Sequence, residues 1–163
     1  MCVSNIDRSI EWYQATLGFE LQHADQPNFW PTCPDSPAFL SVGSAQLALL
    51  PLAPPTLPVA DHNGAHVAFG LANVDWEEAR NSLPGVLATH RVDETQSVEV
   101  EEADYGWQLS LFFEDPDKNV LELTTWIGGP AAAGEHGAAA RRKLTRQRLI
   151  ETPRGRLTAA ADE

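Results

Sequence analysis

The chain has 163 residues, with 23 acidic against 11 basic groups, a net charge of −12 and 43% hydrophobic residues. That length allows one domain, or two small modules, with a sizeable core. No apolar run approaches the roughly 20 residues of a membrane span, and no signal-peptide pattern opens the chain. Two cysteines, Cys2 and Cys33, exclude a disulfide framework or a cysteine-rich metal site, so a reduced, cytoplasmic setting is expected.

Charge is unevenly spread. Residues 129–163 hold seven basic and four acidic groups, a balance of +3 that leaves −15 on residues 1–128. Such an acidic body repels nucleic acid and anionic membrane, so neither is an expected partner. The basic, Ala/Gly-rich stretch 128–163 reads as a solvated tail, partly helical or disordered, with a docking arm as the other reading.

In chain order, Cys2-Val3 reads as the end of a strand, and Asn5-Ile6-Asp7 opens a helix. Ile6, Ile10, Tyr13 and Leu17 fall on one face of it, and Gly18 ends it. Strands follow at Phe19–His23, Phe39–Val42 and Ala45–Leu50. A proline-rich linker, 53–64, leads to a strand over Ala65–Leu71. Asn73-Val74-Asp75 opens the second helix, with Asp75 and Glu78 at capping-box spacing and Val74, Ala79 and Leu83 as its apolar stripe. Gly85 is expected to end it, with a strand over Val86–Val92. The acidic run Asp93, Glu94, Glu99, Glu101, Glu102, Asp104 reads as a solvated loop. Leu109–Phe113 and Val120–Thr125 then flank the turn Asp115-Pro116-Asp117-Lys118-Asn119 as a hairpin.

These elements repeat. Asn5-Ile6-Asp7 recurs 68 residues later as Asn73-Val74-Asp75, and Leu47 and Leu49 fall on Leu121 and Leu123. Each half reads strand, helix, three strands, which predicts an α+β fold of two βαβββ modules, 1–52 and 65–127. The first strand is mostly missing, as its counterpart to Ala65–Leu71 would begin before Met1. In the last strand, side chains alternate: Leu121, Leu123 and Thr125 share the face suited to a core under a helix, while Val120, Glu122, Thr124 and Trp126 share the other. Glu122 must then meet solvent or a polar cavity.

The stretches HVAF (His66–Phe69), DRSIEWYQATLGFEL (Asp7–Leu21) and FFEDPDKNVLEL (Phe112–Leu123), in this order, resemble the vicinal oxygen chelate superfamily over residues 1 to about 127. That group includes glyoxalase I, extradiol dioxygenases, fosfomycin-resistance enzymes and bleomycin-resistance proteins. The resemblance implies paired modules curving into a half-open mixed barrel around a divalent metal that chelates two adjacent substrate oxygens. It places His66 and Glu122 at the second module's two metal-ligand positions, with Fe, Mn, Zn or Ni as candidate ions. A homodimer is plausible on the same ground.

Two positions depart from that pattern. The repeat maps His66 to a place before Met1, and Ala48 aligns with Glu122. Cys2 maps to Gly70, roughly 13 Å along the strand from the ligand position, too far to substitute. A truncated start is the favoured explanation; a partner or local side chain (His23, His62, His90) completing the site, or a decayed site, are the others. Ala68, Gly70, Thr124, Trp126 and Ala48 are cavity-lining candidates by parity and alignment, and the indole suits an aromatic or apolar substrate. Tyr105 and His90 are candidate acid/base groups, whereas Trp12, Trp30, Trp76 and Trp107 are expected to pack. Two functions follow: a metal-dependent dioxygenase, lyase or isomerase acting on adjacent oxygens, or a metal-free protein that sequesters a small hydrophobic or cationic ligand.

Overall fold

The computed structural model describes residues 1–52, 66–127 and 157–158. The linker, His62, Ala65 and nearly all of the tail lie outside these described residues. The chain is α+β and forms two compact units. The first comprises the residues up to Leu52 together with 86–97 and 115–119, and the second comprises 66–85, 98–114 and 120–127.

In the first unit, β1 (Cys2–Val3) is followed by α1 (Ile6–Leu17), β2 (Glu20–Gln22), β3 (Ala38–Val42) and β4 (Ala45–Pro51). The sheet order is β1-β4-β3-β2, parallel between β1 and β4 and antiparallel elsewhere. Asn5 caps α1 by accepting the Arg8 amide at 3.0 Å, satisfying one of the free donors of the first turn. Gly18 ends the helix in the left-handed region, at φ 70°, where its amide reaches the Gln14 carbonyl. Ile6, Ile10 and Tyr13 are buried and Leu17 is half-buried, as the helical spacing requires. Trp12, Tyr13 and Phe19 pack edge to face in this core.

The second unit repeats the order. Its β5 (His66–Gly70), β6 (Glu101–Asp104), β7 (Gln108–Glu114) and β8 (Val120–Trp126) form the sheet β5-β8-β7-β6, again with one parallel pair, β5 with β8. A two-residue β9 (Leu157–Thr158) runs parallel to β6 at the far edge. The two registers match residue for residue: Phe39 faces Ala48 in the first sheet as Phe112 faces Glu122 in the second. Cys2 beside Leu50 likewise matches Gly70 beside Thr124.

The helix α2 (Trp76–Thr89) departs from the sequence reading. It runs through Pro84 and Gly85, so Gly85 does not end it and Val86–Val92 is not a strand. Proline removes one helical hydrogen bond, but Leu83 and Leu87, four residues apart, are both buried and hold the helical path. Val74 is not part of the buried stripe. A 3-10 turn over Asn73–Asp75 leads into the helix, Val74 is 87% exposed, and Trp76 is buried instead. The acidic run is not a loop throughout either, since Glu101–Asp104 forms β6 and Glu102 pairs with Arg80 of α2 at 3.0 Å.

The turn 115–119 is built around one carboxylate. Asp115 Oδ1 accepts the amides of Asp117 and Asn119, and Oδ2 accepts Asn119 Nδ2 and the Tyr13 hydroxyl, the latter at 3.0 Å. Asp117 in turn takes Arg8 at 2.8 Å and the Ser4 amide at 3.1 Å. Lys118 stands at φ 64°, a conformation that favours glycine. Tyr13→Phe should therefore cost about 1.5–3 kcal/mol, the value of a hydrogen bond to a charged group. Lys118→Gly should be neutral to stabilising by up to about 1 kcal/mol, because relief of left-handed strain exceeds the added chain entropy. Urea denaturation of both variants checks these signs.

Candidate functional site

The turn fixes which residues of β7 and β8 lie opposite each other, and residues opposite each other share a face. From the Glu114–Val120 pair the register runs Phe112–Glu122, Ser110–Thr124 and Gln108–Trp126. On the parallel side, His66 lies beside Val120, Ala68 beside Glu122 and Gly70 beside Thr124. On β6, Glu101 faces Phe112 and Ala103 faces Ser110. One face of this sheet thus gathers His66, Glu122, Thr124, Ser110, Gln108 and Glu101. The other carries Leu121, Leu123, Leu111 and Phe113, all buried.

His66 and Glu122 meet directly, with Nε2 to Oε2 at 2.9 Å and the side chains 35% and 7% exposed. The imidazole lies edge-on to the buried Phe112 ring, centroids 5.7 Å apart. The second carboxylate oxygen is held from below. Ser110 Oγ donates to Oε1 at 2.5 Å, and Gln108 Nε2 reaches Oε1 at 3.4 Å while donating to Thr124 Oγ1 at 2.7 Å. Thr124 Oγ1 donates to the Leu109 carbonyl at 3.1 Å. Burial pushes the Glu122 carboxyl up, but hydrogen bonds from His66 and Ser110 and the charge of His66 outweigh it, so the net shift is downward.

This geometry bears on a metal. A nitrogen and an oxygen each about 2.1 Å from one ion, at a right angle, lie about 3 Å apart. The observed 2.9 Å is that spacing, and Ser110 and Gln108 restrain Oε1 so that Oε2 is the oxygen presented. Donor types and spacing fit a divalent ion. The count stops at two: among the described residues no group of three His, Cys, Asp or Glu side chains could hold a metal. The remaining positions would fall to water and to the ligand's own oxygens.

The other predicted residues are distributed more widely. Thr124 is buried within the hydrogen-bond network. Ala68 and Gly70 are exposed on β5, on the His66 face. Trp126 is 55% exposed and stacks on Trp107, centroids 4.5 Å apart. Ala48 belongs to the first unit, on β4. Tyr105 packs on Ala103, Phe112 and Val120, and burial, then the charge of Glu122, pushes its hydroxyl up to about 12. His90 and His23 are exposed and belong to the first unit. The sequence reading singles out neither Gln108 nor Ser110. Counting back from the turn, with Glu114 paired to Val120, would have placed both.

Ser110→Ala removes the close donor to a buried carboxylate and should cost about 1–3 kcal/mol at neutral pH. Glu122 titrates below its ordinary value when folded, so its contribution is present above about pH 4.3 and lost as pH falls below it. The deficit of Ser110→Ala should therefore shrink in urea denaturation below pH 4.

Comparison with known proteins bears on the family and the fold. Residues 1–123 match the family model of the Glyoxalase/Bleomycin resistance protein/Dioxygenase superfamily. Among solved structures, a glyoxalase/bleomycin resistance protein/dioxygenase from Alicyclobacillus acidocaldarius aligns with 15% identity over 78% of this chain and 88% of its own, at a TM-score of 0.53. An integron cassette protein from the mobile metagenome of the Halifax Harbour sewage outfall aligns with 20% identity over 77% and 92%, at 0.51. The genomically encoded fosfomycin resistance protein FosX from Listeria monocytogenes aligns with 13% identity over 80% and 90%, at 0.50. At these identities the likeness is one of fold. No curated protein matches the chain. With the repeated strand order, the matched registers and a family model spanning both sheets, the chain belongs to the glyoxalase/bleomycin resistance protein/dioxygenase superfamily.

Proposed function

We propose that this protein acts on a small molecule with two adjacent oxygens, bound through a divalent cation held by His66 and Glu122. The observation that carries the reading is the 2.9 Å approach of His66 Nε2 to Glu122 Oε2 on neighbouring parallel strands. A divalent cation bound there would supply Lewis-acid polarisation of the ligand's oxygens. The chain's own residues prepare the place. Ser110 and Gln108 orient the carboxylate, the Ser110 hydrogen bond favours its ionised form, and the imidazole packs against the Phe112 ring. Orientation of this kind, one layer behind a ligand, is worth about 10- to 100-fold in metal affinity. The reaction class within this reading is dioxygenase, lyase or isomerase, and the exposed indole of Trp126 favours an aromatic or apolar group on the substrate.

One observation favours a second reading, a metal-free protein that sequesters its ligand. His66 and Glu122 contact each other directly, and no third His, Cys, Asp or Glu side chain joins them in a metal-binding group among the described residues. The acidic body, −15 over residues 1–128, would draw a cationic ligand.

Calorimetric titration with Mn²⁺, Fe²⁺, Ni²⁺ and Zn²⁺ separates the two. The first reading expects one ion per chain, weakened at least 10-fold by His66→Ala and by Glu122→Gln, and a thermal midpoint that rises with ion concentration. Oxygen uptake with a panel of catechols then sorts dioxygenase from Lewis-acid chemistry. No ion bound at millimolar concentration, with ligand affinity indifferent to chelator, would establish the second.

A further inference from the structure

The same face carries a carboxyl group that the metal reading leaves unused. Across the sheet the register forms a row, Ala68, Glu122, Phe112, Glu101. With neighbouring strands about 4.8 Å apart, the backbones of Glu101 and Glu122 stand about 10 Å apart, on either side of Phe112. Glu101 Oε2 is shielded from solvent and has no hydrogen-bond partner among the described residues. A buried carboxylate oxygen without a donor is unfavourable, in contrast to Glu122, whose two oxygens are both engaged. The charged and titratable groups sharing this face are Glu99 and Glu114 near Glu101, Glu122 and His66 further across, and Tyr105. No lysine or arginine stands on it among the described residues. Arg80 is engaged by Glu102, which points to the opposite face.

We propose that Glu101 is the proton acceptor for a ligand hydroxyl, with the ligand lying over Phe112 between the two carboxyl groups. This rests on the reading that His66 and Glu122 hold a ligand with adjacent oxygens. In the step, the ligand O–H bond breaks, its electron pair stays on the ligand oxygen, and the proton forms an O–H bond with the Glu101 carboxylate. The carboxylate becomes neutral, which removes the desolvation penalty of its charged form, and the ligand takes the negative charge. Burial, followed by Glu99 and Glu114, raises the Glu101 carboxyl to about 7, where a base gains and loses protons at neutral pH.

The test uses the full chain, Mn²⁺ and 4-nitrocatechol, whose visible absorbance reports its ionisation. The wild type should bind the probe and ionise its second hydroxyl. Glu101→Gln should bind it with similar affinity at low pH, with the ionisation midpoint of the bound probe raised by at least one pH unit, and Glu101→Asp should recover part of that shift. Identical profiles for wild type and Glu101→Gln would overturn the proposal while leaving the metal-site reading intact. Failure of the wild type to bind the probe would overturn both.

A ligand-free measurement covers the case in which the variant does not fold. The raised folded-state value means that the stability Glu101 confers is present below about pH 4.5 and is lost as pH rises through about 7. The carboxyl ¹³C resonance of Glu101 should titrate near 7 in the wild type and move when the probe is added. A midpoint near 4.5, unmoved by the probe, would overturn the assignment.

Discussion

The pairing register of β7 and β8 is the constraint on which the site depends. Side chains alternate along a strand, so a slip of one residue would turn Glu122 into the leucine core and expose Leu121 or Leu123. The turn prevents this. Asp115 closes it on itself through the amides of Asp117 and Asn119, and the Asp115 amide donates to the Asn119 carbonyl at 3.0 Å. The carboxylate also accepts from Tyr13 of α1. Hydrophobic pattern and turn geometry therefore specify the same register, and the leucines of one face fix the polar groups of the other.

That second face is where this sheet differs from its counterpart. The repeat gives both halves the same strand order and equivalent pairings, yet Ala48 stands in the first sheet where Glu122 stands in the second. An alanine beside Phe39 leaves an apolar strand pair. A glutamate beside Phe112 must be compensated, and Ser110, Gln108 and His66 do so from three directions. Glu122 shifts downward because the hydrogen bonds from His66 and Ser110 and the charge of His66 together exceed the cost of burial. Glu101, in the same row and without such donors, shifts the other way. Two carboxyl groups of one type, a row apart from each other only by Phe112, are thus set to opposite protonation tendencies by their neighbours.

Much of this was legible in the chain. The repeat, the turn cluster and the alternating Leu121–Leu123 pattern define the module, the hairpin and the face of Glu122. The family resemblance named His66 as its partner, and spacing alone would not have done so, because the contact joins strands over 50 residues apart. Other features were hidden for identifiable reasons. Pro84-Gly85 is a strong local stop signal, but burial of Leu83 and Leu87 overrode it. Glu101 and Glu102 read as solvated charge, although strand alternation sends them to opposite faces, one to Arg80 and one to the site. Charge density in a sequence does not show which face of a strand each group will take.

The central claim is that His66 and Glu122 form a cation-binding pair, beyond an ion pair that fixes two strands. Anomalous diffraction from crystals soaked in Mn²⁺ tests it most directly. The account predicts one peak bonded to His66 Nε2 and Glu122 Oε2 at about 2.1 Å, with Ser110 still on Oε1. A saturated soak that leaves the imidazole and carboxylate in direct contact, with no peak between them, would contradict it.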